Sequence, residues 1–193
     1  MAIEIEAKMR LDDVAAMEAV LTSAGARREL DILEINTFFD TPQGTLKSGD
    51  QGLRVRVEQQ VDGPYYAVIV THKGPRAHGR LKSRTETELH VENAQDAVEL
   101  LGALGFTPVF SFEKRRTRWR FEDCIIAIDR VPYLGAFIEI EGPSEESVLA
   151  TRAKLGLEQS PLIRASYIAM LRTWLTEQNK HVDHVSFEAA AAG

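Results

Sequence analysis

Charged side chains occupy every second position in several short segments of this 193-residue chain. Lys114, Arg116 and Arg118 form a basic row, whereas Glu4 and Glu6 form an acidic pair near the N-terminus. Residues two apart on a strand share a face, so each row is predicted to lie on one side of a sheet. Guanidinium and ammonium groups bind phosphate, and carboxylates bind Mg²⁺ or Mn²⁺. If the rows share one cavity, they predict a site for a metal–polyphosphate complex.

The elements that must position these rows are antiparallel strands joined by short turns. Alternation and turn residues predict about eight strands, over 2–10, 27–39, 53–57, 65–73, 80–91, 106–121, 124–131 and 136–141. Helix caps at Asp12 or Asp13, at Asn93 and at Ser144, together with helical spacing over 165–178, predict four helices. The predicted fold class is α+β, with the helices covering the apolar faces of the strands.

A solvated sheet face is the simplest interpretation of alternating charge. The rows are dense, however, because Lys82, Arg84, Glu86 and Glu88 follow one another on one face with no neutral polar residue between them. A sheet of about eight strands can close into a barrel with room for one small ligand. Buried lysine and arginine need partners, so a polyanion is the expected occupant of such a barrel.

Composition excludes several classes of protein. The chain has 23 lysine and arginine residues against 29 aspartate and glutamate residues, a net charge of −6, which argues against a general nucleic-acid binder. No long uncharged apolar run predicts a transmembrane helix, and the acidic N-terminus does not resemble a signal peptide, so we expect a cytoplasmic protein without membrane partners. Cys124 is the single cysteine, which excludes an internal disulfide and a cysteine zinc cluster.

We predict one domain over 1–179 and a flexible tail over 180–193.

Short motifs in a fixed order resemble one family. They are Glu4-Ile5-Glu6-Ala7-Lys8, Phe39-Asp40-Thr41-Pro42, Leu53-Arg54-Val55-Arg56, Thr71-His72-Lys73, Arg84-Thr85-Glu86-Thr87-Glu88, Lys114-Arg115-Arg116, Ile128-Asp129-Arg130-Val131, Leu134-Gly135-Ala136-Phe137-Ile138-Glu139-Ile140-Glu141 and Ser166-Tyr167. From residue 2 to about 175 the chain resembles the CYTH family, also called triphosphate tunnel metalloenzymes. The family includes class IV adenylate cyclases, thiamine triphosphatases and inorganic triphosphatases.

The resemblance implies an eight-stranded antiparallel β-barrel, a tunnel that binds a linear triphosphate together with Mg²⁺ or Mn²⁺. It implies metal ligands at Glu4, Glu6, Glu86, Glu88, Asp129, Glu139 and Glu141. It implies phosphate-binding residues at Lys8, Arg54, Arg56, Lys73, Lys82, Arg84, Lys114, Arg116 and Arg164, of which Arg164 would close one mouth of the tunnel. Lys8, Arg56 and Lys73 are the candidates for a direct catalytic role.

Two reactions remain open at this point. Water attacking the terminal phosphorus would make the protein a triphosphatase, and attack by the 3′-hydroxyl of ATP on the inner phosphorus would make it an adenylate cyclase. Hydrolysis is favoured because it needs only the phosphate-binding residues and the metals, although Lys73-Gly74-Pro75-Arg76 resembles the cyclase branch. A non-catalytic polyphosphate or nucleotide sensor and a β-barrel of unrelated role also remain open. The expected partner is a small-molecule triphosphate, bound by a monomer or a homodimer.

Overall fold

The computed structural model of the protein describes residues 2–77, 79 and 81–191. The strands are β1 (Ala2–Leu11), β2 (Arg27–Asp40), β3 (Gly52–Gln60), β4 (Tyr66–Lys73), β5 (Lys82–Val91), β6 (Thr107–Phe121), β7 (Cys124–Val131), β8 (Gly135–Glu141) and β9 (His184–Val185). The helices are α1 (Val14–Ser23), α2 (Thr45–Ser48), α3 (Ala94–Ala103), α4 (Glu145–Lys154), α5 (Tyr167–Glu177) and α6 (Phe187–Ala191). The predicted start of the fifth strand at residue 80, and residues 192–193 of the predicted tail, lie outside the described residues.

Eight strands form a closed antiparallel barrel, as the sequence predicted. The order around the barrel is β2-β3-β4-β5-β1-β8-β7-β6, and β6 pairs with β2 to close it. The strands therefore run alternately up and down, so the start of β1 and the ends of β3, β5 and β6 lie at one end. The end of β1 and the starts of β5, β6 and β8 lie at the other.

Alternation along each strand divides polar from apolar residues. On β1, Glu4, Glu6 and Lys8 face the interior, whereas the buried Ala7 and Met9 pack outside the barrel against the helices. Because the charged faces of the strands point into the barrel, their apolar faces point outward and must be covered. Helices α1, α3 and α4 cover them. Within the described part of the chain, none of the helices reaches the length and hydropathy needed to span a bilayer.

The predicted helix caps explain where the helices begin. The side chains of Asp13, Asn93 and Ser144 each accept a hydrogen bond from the backbone three residues on, which satisfies an N–H group of the first turn. Of the two candidate caps of α1, the structure selects Asp13. Ser166 caps α5 in the same way, so this helix begins two residues later than the predicted 165.

The C-terminal segment differs from the predicted flexible tail over residues 184–191. β9 pairs in parallel with Ser111 and Phe112 of β6, at a part of that strand that β7 does not reach. Val185 is fully buried in an apolar cluster with Phe110 and Leu171, and the Phe187 ring lies 4.9 Å from the Arg115 guanidinium. The sequence gives no periodic signal here because these contacts depend on the unequal lengths of β6 and β7.

Candidate active site

A cavity of about 610 Å³ runs inside the barrel and is lined mainly by charged side chains. It is bordered by residues from all eight barrel strands and by the first residues of α5. The predicted residues on its lining are Glu4, Glu6, Lys8, Arg54, Arg56, Lys73, Lys82, Arg84, Glu86, Glu88, Lys114, Arg116, Glu139 and Glu141. Strand alternation therefore brings fourteen of the sixteen predicted residues to one cavity.

Positive charge is in excess on the side formed by β3, β4 and β5. Burial and the neighbouring charge of Arg56 lower the pKa of Arg54 to about 10. Burial and the charge of Arg54 lower the pKa of Lys73 to about 8, even though Glu4 and Glu86 oppose the shift. The buried Nε atoms of Arg54 and Arg84 have no hydrogen-bond partner. These cations therefore have capacity for an anion that the protein itself does not fill.

Negative charge is in excess on the side formed by β1 and β8. Burial and repulsion by Glu4 and Glu6 raise the pKa of Glu141 to about 7, although its side chain is accessible to water in the tunnel. The buried Oε2 atom of Glu4 has no hydrogen-bond partner, and Glu6 pairs with Lys82 at 2.5 Å. β8 lies across the barrel from β3, whereas β1 is hydrogen-bonded to β5, so the surplus carboxylates lie both opposite and beside the surplus cations.

Two fully buried carboxylates hold the basic residues of β6 in place. Glu34 lies 3.3–3.5 Å from Arg56, Lys114 and Arg116, and Asp129 accepts two hydrogen bonds from Arg116 and one from Lys114. Burial alone would raise the pKa of Glu34, but the surrounding cations outweigh it and the pKa is lowered. These pairs fix the direction of the cations before any ligand binds, which reduces the entropic cost of binding.

The N-terminal end of α5 covers one end of the cavity. Tyr167 lies over the Lys8 ammonium group, 4.0 Å from Nζ to the ring centroid, and 5.3 Å from that of Lys114. Lys8 also donates a hydrogen bond to the carbonyl oxygen of Ala165 and pairs with Glu139 at 3.2 Å. Tyr167 was part of a sequence motif, but only the docking of the helix brings its ring to the cavity.

The donor chemistry of the acidic side fits a hard divalent cation. Glu4, Glu6 and Glu141 offer carboxylate oxygens, which Mg²⁺ and Mn²⁺ prefer, and a cation would relieve their mutual repulsion. Within the part of the chain that the structure describes, no three carboxylate, imidazole or thiolate groups already form a metal-binding cluster. Glu4 pairs with Lys73 and Arg84, and Glu6 pairs with Lys82, so ion binding would require these two carboxylates to exchange partners.

Two predicted residues lie off the cavity lining. Asp129 is fully buried behind Lys114 and Arg116 and pairs with both cations. Arg164 precedes α5 and donates hydrogen bonds to the carbonyl oxygens of Gly79 and Leu81, at 2.6 and 3.3 Å. It thus ties the segment before α5 to the connection between β4 and β5 near the end of the cavity that α5 covers.

Sequence reasoning did not single out several residues of the site. They are Glu34, Asn36, Phe38, Glu58, Tyr65 and Phe112, all on or directly behind the cavity lining. Glu34 lies on the same face of β2 as Asn36 and Phe38, and this two-residue spacing was the available sequence signal. It was obscured because Glu34 lies between the apolar Leu33 and Ile35, and its face of β2 continues into Asn36 and Phe38 and not into a row of charges.

Comparison with known proteins identifies the family. A CYTH domain model matches residues 2–167. "Putative adenylate cyclase MJ0240" of Methanocaldococcus jannaschii is 27% identical over 177 residues, 87% of this chain and 98% of that protein. "Adenylate cyclase CyaB" of Aeromonas hydrophila is 28% identical over 191 residues, 93% of this chain and 94% of that protein. The PH1819 protein of Pyrococcus horikoshii OT3 has a TM-score of 0.77 at 25% identity, with 89% of this chain and 99% of that chain covered. Because the family model spans most of the sequence, the chain belongs to the CYTH domain family.

Proposed function

We propose that this protein hydrolyses a linear triphosphate, inorganic or carrying an organic group, with the help of Mg²⁺ or Mn²⁺. One observation carries the proposal: the cavity holds surplus cations on β3, β4 and β5 together with surplus carboxylates on β1 and β8. A polyanion on one side and a divalent cation on the other would neutralise both. A sensor would need only the cations, so the retained carboxylates support catalysis.

The basic residues would bind and orient the triphosphate. Arg54 and Arg84 have guanidinium Nε–H groups without hydrogen-bond partners, and Lys73 adds a compact point charge beside them. Lys114 and Arg116 face them from β6, held by Glu34 and Asp129. Donors fixed in this way stabilise charge that spreads over phosphoryl oxygens in the transition state.

Glu4, Glu6 and Glu141 are the residues that would hold the divalent cation, which when bound supplies Lewis-acid polarisation and charge neutralisation. In the hydrolytic reaction, a water oxygen bonds to the terminal phosphorus and the bridging P–O bond breaks. A carboxylate or lysine beside the water would orient it, and Lys8, Arg56 and Lys73 are the candidates for direct contact with the reacting groups. The products are orthophosphate and the shortened polyphosphate.

Adenylate cyclisation is the second candidate, and the names of the two curated relatives favour it. The same cations could bind the triphosphate of ATP while the 3′-hydroxyl attacks the inner phosphorus and pyrophosphate leaves. This reaction also needs a site for adenine, and the cavity lining is dominated by charged residues suited to phosphate.

An end-product assay tests both reactions. Purified protein is incubated with tripolyphosphate, thiamine triphosphate or ATP, each with Mg²⁺ and with Mn²⁺, and the products are resolved by chromatography. Orthophosphate without cyclic AMP is the expected result. Cyclic AMP with pyrophosphate would replace the proposal with the cyclase, and binding without turnover would favour a sensor.

A further inference from the structure

We propose that the protein associates with a second copy of itself through the exposed outer side of β5 and the neighbouring flank of α3. In this dimer the α3 flank of each copy lies on β5 of the other. The inference concerns the outside of the barrel and does not depend on the proposed function, so either can fail without the other.

The outer side of β5 is an exposed strip. Because the charged residues of β5 line the cavity, Thr85, Thr87 and Leu89 lie on its outer side, and all three are exposed, Leu89 to 63%. On the neighbouring β1, Ile3 lies opposite Thr85 and is 65% exposed. Ile3 and Thr87 also border the mouth of the cavity. On β8, by contrast, the outward Ile138 is fully buried in the core beneath the helices. Apolar surface of this kind on a folded protein marks a contact site.

A second exposed apolar surface lies beside this strip, on α3. Leu100 and Leu104 are one turn apart and are 61% and 65% exposed, whereas Leu101 is buried. Val70, which lies opposite Leu89 on the neighbouring strand, packs in the same cluster as Leu101. The α3 flank and the strip are therefore neighbours, and together they hold three of the most exposed leucines of the described residues.

The charge of the strip favours a second copy as its occupant. A two-fold dimer uses the same surface on both copies, so a surface with charges of one sign would repel itself. The outer rows of three adjacent strands contain no carboxylate, ammonium or guanidinium group, although 27% of the chain is charged. They are Ile3 and Ile5 on β1, Ser83, Thr85, Thr87, Leu89 and Val91 on β5, and Val68, Val70 and His72 on β4. An acidic peptide or an anionic membrane would need lysine or arginine here, and these rows contain neither.

The dimensions of the two surfaces match. The ten residues of α3 give a helix about 15 Å long, and residues 85–89 give a strip of about 17 Å. The helix is a ridge beside the lower strip, so two copies related by a two-fold axis interlock at two equivalent places. These contacts cover a total of roughly 700 Å² for a helix diameter of about 10–12 Å. Because stable interfaces exceed about 1,200 Å², we expect a weak dimer with a dissociation constant on the order of 10 µM.

Sedimentation velocity of the full chain, from about 1 to about 200 µM, measures the association. The wild type should change from monomer to dimer over this range. Leu89→Glu and Leu100→Lys should each weaken the association at least about 100-fold, because each places a charge in an apolar contact. Val20→Glu is the control, since it places the same charge at an exposed apolar position of α1, and it should dimerise like the wild type. Circular dichroism checks that the variants are folded.

Mixing the two interface variants tests the reciprocal arrangement. A pair of Leu89→Glu with Leu100→Lys keeps one contact unchanged and places glutamate against lysine in the other. The mixture should therefore form a heterodimer, although neither variant dimerises alone. A wild type that stays monomeric at about 200 µM would overturn the proposal, and so would undiminished dimers of both single variants. Wild-type dimers without rescue in the mixture would overturn the pairing of α3 with β5.

Discussion

At the scale of single residues, Arg54 and Arg56 lie on the same face of β3 but have different roles. Arg56 pairs with Glu34 of β2, which joins β2 to β3, and with Glu58 of its own strand. Arg54 donates one hydrogen bond to Thr71, approaches Glu88 only at 3.9 Å and keeps a buried Nε without a partner. Arg56 therefore contributes to the fold as well as to the site, whereas Arg54 is held ready for a ligand.

Replacing each arginine with alanine should separate these duties. Arg54→Ala should weaken tripolyphosphate binding by at least about tenfold with little change in the free energy of unfolding, because it removes a cation repelled by Arg56. Arg56→Ala should also lower the free energy of unfolding, by about 3 kcal/mol, because buried pairs with Glu34 and Glu58 are broken. Calorimetric titration and urea denaturation measure the two effects. Equal loss of stability in both variants would contradict this division.

Glu4 tests the proposed metal site. Glu4→Gln keeps the shape of the side chain but removes a charge that the divalent cation needs, so turnover should fall about 100-fold or more while the circular dichroism spectrum is kept. EDTA should abolish turnover of the wild type. Glu99→Gln, on the exposed face of α3, is the control with the same chemical change. Wild-type turnover of Glu4→Gln at saturating Mg²⁺ would remove Glu4 from the metal site.

At the scale of the elements, the sequence predicts those features that depend on residues close together in the chain. The strands, the caps and the inward rows of charge follow from period and side-chain chemistry, so the barrel and most of its lining could be predicted. Glu34 could not be recognised, because its partners Lys114 and Arg116 lie about 80 residues away on a strand that closes the barrel. Tyr167 and β9 depend in the same way on how distant elements dock.

The packing of β9 can be tested with two valines of the same segment. Val185 is fully buried, whereas Val182 is 46% exposed. Val185→Ala should lower the free energy of unfolding by about 2 kcal/mol and the melting temperature by about 5 °C, because it removes buried methyl groups and leaves a cavity. Val182→Ala should stay within about 0.5 kcal/mol of the wild type. Thermal denaturation with the same result for both variants would show that β9 does not add to the core.

At the scale of the whole molecule, the barrel is closed by the pairing of β2 with β6, a seam that carries buried charge on its inner face. β2 and β6 pair along thirteen positions, and inside the seam Glu34 contacts cations of both β3 and β6. A fully buried carboxylate among lysine and arginine is stable only while it stays ionised. Closure of the barrel and preparation of its phosphate-binding residues thus depend on the same groups.

This dependence predicts how the protein unfolds in acid. The folded-state pKa of Glu34 lies below its ordinary value of 4.5, so its contribution to stability is present above that pH and is lost as the pH falls through the folded-state pKa. Urea denaturation at a series of pH values should therefore show the free energy of unfolding falling below about pH 4.5. Glu34→Gln should be less stable at neutral pH, because Arg56, Lys114 and Arg116 each lose a charged partner, but should show a shallower fall in acid. Glu99→Gln should keep the wild-type slope, because Glu99 lies on the surface of α3. If Glu34→Gln also kept the wild-type slope, other carboxylates would control acid unfolding, and the seam would not link barrel closure to the ionisation of Glu34.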